Sequence, residues 1–385
     1  MPADLLGDLP VTVFMRDYWH RRPVLLRGAL AGCEFPVDAG QLLQMAREPE
    51  RVSRLITGDG RSGAWEVEFG PFEDFTELPD RNWTLLVQQT DRGTPELISI
   101  MNRFRFIPNW RLDDLQISLA APGGSAGPHI DQYDVFLIQS YGHRVWQLES
   151  EPAAGDRPVQ PGLDLAVLQD FHPDVEYTVV PGDILYLPPR VPHWGIAVDE
   201  CMTCSVGFRA PNFRDMLMGV VEGMVERLPE DVKYPDTRCK PAEDPGRIDD
   251  EILSWFDRTL RALLADRCNL EQMVCLYLSR PEDVYFVEDP MPGLEKDLDY
   301  VRKGCAVVER TAAPYLMYRE FGTEVRLYAA GREYGLPHRL RPFVQMITGT
   351  ALLDAAALAP YWHDPEALEV LADLVRRLVL YCREK

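Results

Sequence analysis

Between Leu115 and Gly207 the chain runs as short apolar or alternating segments punctuated by glycine, proline and aspartate turns. Few cores can be built from such a pattern other than two antiparallel sheets folded face to face as a jelly roll. Asp183-Ile184-Leu185-Tyr186-Leu187-Pro188, after the turn Pro181-Gly182, reads as one buried strand. Val135, Leu137 and Gln139 share a face of another, because side chains alternate across a strand with a period of two. The turn Ser140-Tyr141-Gly142-His143 then reads as a hairpin, with Arg144, Trp146 and Leu148 on one face of the return strand. Leu115–Gly207 is thus expected to be a barrel whose mouth gathers side chains from separate strands while its wall excludes bulk water.

His129 and Asp131, two residues apart, point the same way on a strand and can hold one ion together. His193, in Val191-Pro192-His193-Trp194-Gly195, is the candidate third ligand, brought from a distant strand with prolines stiffening its approach. Two imidazoles and one carboxylate on one face leave the other face of the ion open, the arrangement of a non-haem iron(II) oxygenase. A bare H-x-D pair also arises by chance, and a lone histidine can be a hydrogen-bonded core residue, so the surroundings must carry the reading. Pro122-Gly123-Gly124-Ser125-Ala126-Gly127-Pro128 reads as an approach whose backbone can run close to a ligand. Arg144 has two readings: it stacks on a surface aromatic, or it points into the barrel, where a guanidinium costs several kcal/mol unless a fixed anion meets it. A dicarboxylic co-substrate would be that anion. Tyr133, on the face of Asp131, either lines the cavity against substrate or packs in the core.

The run His129-Ile130-Asp131-Gln132-Tyr133-Asp134-Val135-Phe136-Leu137-Ile138-Gln139, the strand Gly182–Pro188 before His193, and Ser205-Val206-Gly207-Phe208-Arg209-Ala210-Pro211 resemble the bacterial JmjC-type ribosomal oxygenases. The resemblance spans the chain and is strongest from about Asp113 to Pro211. It implies an α+β protein: a cupin-like double-stranded β-helix over 1–211 using iron(II) and 2-oxoglutarate, a helical dimerisation segment over 212–280, and a winged-helix-like domain over 281–385. For bacterial members it implies hydroxylation of an arginine side chain in a protein of the large ribosomal subunit; the eukaryotic relatives hydroxylate histidine. By position, His129, Asp131 and His193 match the iron ligands, and Arg144 matches the residue that pairs with the far carboxylate of 2-oxoglutarate. Ser118 is the co-substrate contact expected on the strand before the glycine run. Ala120, two residues on, stands where a second hydroxyl would be expected. Two other readings stay open: hydroxylation of a histidine or another protein side chain, and a non-redox metal-dependent cupin enzyme acting on a small molecule.

With 385 residues the chain exceeds one ordinary core, and two or three domains are expected. A formal charge of −21 repels nucleic-acid phosphate, so no direct nucleic-acid partner is expected. A basic ribosomal protein would be attracted, although solubility alone also accounts for an acidic surface. No apolar run is long enough to span a bilayer, and Met1-Pro2-Ala3-Asp4 lacks the basic start of a signal peptide, so no membrane contact and a cytoplasmic location are expected. The eight cysteines form no disulfide-like framework. Cys201 and Cys204, three apart on a strand, face opposite ways and are read as structural.

Phe14–His20 reads as a helix and Pro23–Gly28 as a strand, with His20 a packing or hydrogen-bonding residue. His143 and His172 read as solvated loop residues. Beyond Pro211, apolar residues recur at helical spacing from Leu217 to Leu228, Ile252 to Leu264 and Leu270 to Tyr277, with Asn212 as a cap and a proline- and charge-rich loop over 229–247. Three such helices carry more apolar surface than they can cover alone; they pack on the catalytic domain or pair with a second copy. Glu324–Tyr328 reads as a strand, and Leu371, Leu374, Val375 and Leu378 as a closing helix. There Arg376, Arg377 and Arg383 are offset by Glu366, Glu369, Asp373 and Glu384, leaving no basic footprint for DNA.

Overall fold

Twelve strands in the described part of 1–210 pair into two sheets: β1 (Val24–Leu26), β2 (Ser53–Thr57), β3 (Glu66–Phe69), β4 (Trp83–Val87), β5 (Leu112–Ala120), β6 (His129–Ile130), β7 (Asp134–Tyr141), β8 (Arg144–Leu148), β9 (Val175–Val179), β10 (Ile184–Leu187), β11 (Pro192–Ala197) and β12 (Cys201–Phe208). The computed structural model describes residues 5–58, 65–91, 94–209, 211–228, 233–236, 244, 246–280, 291, 293–310, 316–350 and 352–384. Met1-Pro2-Ala3-Asp4, Cys239 and most of the 229–247 loop lie outside them. The larger sheet runs β1-β10-β7-β12-β5-β4-β2-β3 and the smaller β6-β11-β8-β9, all neighbours antiparallel. This is the expected double-stranded β-helix.

The chain switches sheet at its corners. β7 lies between β10 and β12, whereas β8 lies between β11 and β9, so Ser140–His143 joins two sheets and is not a hairpin. The hairpin expectation fails because a short turn between two alternating strands serves either connection; only the ladder partners decide. Gly142 is required at this corner, since its φ is +60° and a Cβ would lie 2.1 Å from the Glu200 carbonyl oxygen. His193 likewise lies on a separate strand in the smaller sheet, β11, which follows a turn at Arg190 with φ 71°.

Period-two alternation splits β7 between two cores. Phe136 and Ile138 join Phe14, Phe104, Tyr186 and Phe208 on the outer side of the sheet, while Val135 and Leu137 face the barrel interior with Trp146, Leu148 and Leu185. Each such side chain, fully buried, contributes about 1.5–3 kcal/mol. Phe14 comes from a helix at Val11–Asp17, earlier than the expected Phe14–His20, and sits edge-on to Tyr186 at 4.9 Å. His20 follows in a left-handed conformation, φ 58°, which ends the helix before it. Cys204 packs on the outer side and Cys201 with Ala120 and Ala197, on the opposite faces expected.

Met1–Ala210, Val287–Pro314 and Gln345–Lys385 form one compact unit, and Pro211–Phe286 with Tyr315–Val344 another. In the second, helices Phe213–Val225, Asp250–Ala265 and Arg267–Ser279 accompany a meander of Leu316–Phe321, Glu324–Ala329 and Arg332–Pro337. The Asn212 side chain accepts the Asp215 N–H at 2.9 Å, a cap worth about 1 kcal/mol. Val220, Met224 and Met273 form a small core, yet Phe213, Met218, Leu253 and Phe256 stay 59–77% exposed. These units cut across the segments expected in chain order, because the meander over 316–337 falls with the helices of 211–286 while Ala306–Arg310, Leu352–Leu353 and Leu380–Glu384, on either side of it, pair with one another. The closing helix accordingly ends at Arg376, and Arg383 and Glu384 lie on that last strand, not on the helix. No helix among the described residues is long and apolar enough to cross a membrane.

Candidate metal centre

His129, Asp131 and His193 converge at the barrel mouth, their donor atoms all within 4.8 Å of one another. The convergence follows from register: β6 and β11 pair antiparallel with His129 opposite His193, and Asp131 lies just beyond the end of β6. The two imidazole centroids are 4.2 Å apart, and His193 Nε2 is 3.6 Å from Asp131 Oδ2. Each ring donates its Nδ1–H backwards, His129 to the Gly127 carbonyl at 2.8 Å and His193 to the Val191 carbonyl at 2.9 Å. A carbonyl can only accept, so both rings carry the bare lone pair on Nε2, facing the cluster. The sequence did not reveal these two acceptors, which sit two residues before each histidine. Burial, together with the neighbouring His129, pushes the His193 pKa down to about 4. It is therefore neutral near pH 7, the form that binds a metal.

These three residues edge a cavity of about 300 Å³ whose walls come from both sheets. Arg144 lines it, 5% exposed, its Nε buried and without a hydrogen-bond partner. Its closest polar contact is Cys201 Sγ at 3.6 Å, and among the described residues no carboxylate lies within ion-pair distance. Of the two readings of Arg144, the inward one holds; the aromatic it lies over, at 5.7 Å, is the buried Trp146 inside the barrel. Trp146 in turn stands 5.8 Å from the His193 ring, so it bridges the span between guanidinium and triad. Trp146 Nε1 and Thr84 Oγ1 are also buried in the same cavity without partners among the described residues. Such atoms cost about 1–3 kcal/mol each, more for the charged one, unless a polar guest meets them.

Ser118 lines the cavity, and its hydroxyl donates weakly to the Thr203 carbonyl at 3.4 Å. Ala120 is fully buried against Ala197 and Cys201 and does not line it. A hydroxyl does line the cavity across the strand, at Thr203, whose register partner is Ser118, and it donates to Gln139 Oε1 at 3.0 Å. Sequence spacing along one strand could not point to a residue on its neighbour. Tyr133 lines the mouth, 42% exposed, and the adjacent Asp131 carboxylate holds its hydroxyl well above the usual phenol range, so it remains a donor.

The glycine run serves a different purpose from the one expected. A Cβ on Gly124 would lie 2.0 Å from the Trp83 carbonyl oxygen, and one on Gly127 2.9 Å from Val167. Neither glycine lines the cavity; close approach to other protein atoms requires both. His20 is the hydrogen-bonding residue expected, its Nε2 3.3 Å from Asp134 Oδ2, and it is absent from the cavity wall. His143 is half exposed and hydrogen-bonded to Asp199 at 2.7 Å.

Gly195 gives the site a mechanical test. It is the register partner of Trp146, and a Cβ there would lie 2.6 Å from the indole ring. Gly195→Ala is expected to displace Trp146 and disturb Arg144 beyond it. The expected cost is about 1–3 kcal/mol of stability, read by thermal melting, with weaker binding of any anion held at Arg144. A variant that melts and binds like the parent would show that Trp146 has room to give.

Residues 99–216 match the JmjC domain family. The chain is 32% identical over 364 residues to the Escherichia coli ribosomal protein uL16 3-hydroxylase, covering 94% of this chain and 95% of that one. It is 31% identical over 330 residues to a probable ribosomal oxygenase of Haemophilus influenzae, covering 83% and 80%. Among solved structures, E. coli YcfD superposes with a TM-score of 0.82 at 31% identity over 98% and 99% of the two chains. The E. coli ribosomal oxygenase YcfD in complex with cobalt and 2-oxoglutarate gives 0.80 at 30% identity over 97% and 98%.

Proposed function

The chain belongs to the ribosomal oxygenase family of JmjC-domain proteins, and from that premise we propose that it hydroxylates an arginine side chain of a large-subunit ribosomal protein. It is a 2-oxoglutarate-dependent protein hydroxylase with iron(II) as its metal. One observation carries the reading: a three-donor cluster and a buried guanidinium with no carboxylate partner share one cavity. A non-redox cupin acting on a small molecule would keep the cluster but have no use for Arg144.

The residues fit the groups they would hold. His129, Asp131 and His193 would hold iron(II) through two Nε2 atoms and a carboxylate oxygen, and Arg144 would pair bidentately with the far carboxylate of 2-oxoglutarate. Iron with its co-substrate supplies the oxidising power that puts one oxygen atom of dioxygen into a C–H bond, 2-oxoglutarate leaving as succinate and carbon dioxide. The chain's part is positioning. The Gly127 and Val191 carbonyls fix the ring tautomers. Trp146, Val135 and Leu137 wall the interior against water, and Ser118, whose hydroxyl donates only weakly at 3.4 Å, can turn it to the co-substrate.

An arginine target is supported by the charge at the mouth. A Cβ on Gly207 would lie 3.5 Å from Asp114 Oδ1 and 3.9 Å from the Tyr133 ring, so a carboxylate and a phenol flank one spot in the cavity wall. A guanidinium seated there would meet an anionic acceptor and an aromatic face. The net charge of −21 further favours a basic protein partner. Incubation with iron(II), 2-oxoglutarate and large-subunit ribosomal proteins should add one oxygen atom to an arginine, located by fragment mass spectrometry. Addition to a histidine, or to nothing, would overturn the reading.

The helices within 212–280 are read as a dimerisation segment, and the winged-helix-like docking role expected of 281–385 as resting on its two parts in the first compact unit, in a cytoplasmic enzyme. Support for pairing comes from the apolar side chains that helices Phe213–Val225 and Asp250–Ala265 leave in solvent. The chain should sediment as a dimer, and Leu253→Glu with Phe256→Glu should convert it to a monomer at micromolar concentration. A double variant that stays dimeric would count against this surface.

A further inference from the structure

The cavity holds a second cation that the reaction as described does not use. Arg54 stands on β2, near the edge of the larger sheet, and reaches the cavity through register: it pairs with Leu86, Leu86 with Ser118, and Ser118 with Thr203. Residues opposite one another in a ladder share a face, and all four line the cavity. Across β4 and β5, Arg54 is three strand spacings from β12, roughly 14 Å. Arg144 approaches from the other sheet and contacts β12 at Cys201. The two guanidiniums therefore belong to different walls.

Among the described residues Arg54 Nε is buried and has no hydrogen-bond partner. Asp114, Asp131 and Asp164 share the cavity, yet none lies within ion-pair distance of Arg54. Its guanidinium carbon lies 5.7 Å from the centre of the Phe69 ring, so the half-buried group has an aromatic neighbour, while its Nε has no acceptor among the described residues. A desolvated N–H of this kind favours any oxygen that reaches it. Arg144 already serves the co-substrate carboxylate, which leaves the polypeptide as the source of that oxygen.

We propose that Arg54 is a specificity-determining residue that binds an oxygen acceptor of the substrate polypeptide, an acidic side chain or a main-chain carbonyl, next to the residue being hydroxylated. The inference rests on the protein-hydroxylase reading of this cavity. With a ribosomal-protein peptide that the parent enzyme hydroxylates, Arg54→Gln should raise the peptide KM roughly tenfold to a hundredfold, the loss of a charge-assisted hydrogen bond. The KM for 2-oxoglutarate and the affinity for metal should not change, and Arg54→Lys should recover part of the loss. Peptide binding to the cobalt-substituted protein, followed by fluorescence anisotropy, should weaken in parallel. Changing each peptide acid to its amide tells the two acceptors apart. One amide peptide that binds poorly to the parent but no worse to Arg54→Gln identifies a side-chain carboxylate; no such peptide identifies a carbonyl. An unchanged peptide KM, or an equal rise in the KM for 2-oxoglutarate, overturns the role of Arg54. A parent enzyme that hydroxylates no ribosomal protein overturns the reading beneath it, a distinct result.

Discussion

Replacing His129 or Asp131 with alanine is expected to abolish metal binding and oxygen insertion together. Each removes one of three donors on an ion that has few protein ligands, and among the described residues no fourth donor stands within 4.8 Å of the other three. Changing only an outer partner of a metal ligand costs roughly 10- to 100-fold, so losing a ligand should exceed that in both affinity and turnover. Fold should survive, because both residues sit at the mouth, partly exposed, and neither belongs to a hydrophobic core. Calorimetric titration with iron(II) under nitrogen, beside succinate release and thermal melting, separates these effects. A variant that still binds the ion tightly, or still releases succinate, would show that the cluster is not the metal site.

Arg144→Met should act on the co-substrate alone, and in opposite directions on binding and stability. In the protein by itself the guanidinium is buried with an unpartnered Nε. Methionine removes that desolvation at similar volume, so the unliganded variant should melt at or above the parent temperature. Binding of 2-oxoglutarate should weaken by roughly a hundredfold or more, as one partner of a buried ion pair costs about 3–5 kcal/mol. The rise in melting temperature that saturating 2-oxoglutarate gives the parent should largely disappear, while metal affinity stays unchanged. A variant destabilised without ligand, yet binding 2-oxoglutarate normally, would make Arg144 a structural residue.

Much of the site was legible because its chemistry is local. His129 and Asp131 share a strand face, and period-two alternation carries that fact in the sequence. Arg144 stood out for the same reason, an arginine in phase with Trp146 and Leu148. Thr203 and Arg54 were invisible because each enters the cavity through cross-strand register, which links residues far apart in the chain. The glycines of 123–127 misled, since a glycine records only that something approaches closely, and here that is Trp83 and Val167.

Sequence alone determined the strand alternation, the ligand types and the helical spacing beyond Pro211, all properties that depend on neighbours a few residues away. Tertiary structure decided which strands are partners, that Ser140–His143 turns a corner between sheets, and that Ala306–Arg310 waits for Leu380–Glu384. It also decided that both histidines turn Nε2 toward the cluster, because the carbonyls that accept from Nδ1 are positioned by the bends preceding β6 and β11. The physical reason is the same in each case: a ladder or a hydrogen bond between distant segments is chosen by packing the whole core at once, and no local run of side chains encodes that choice.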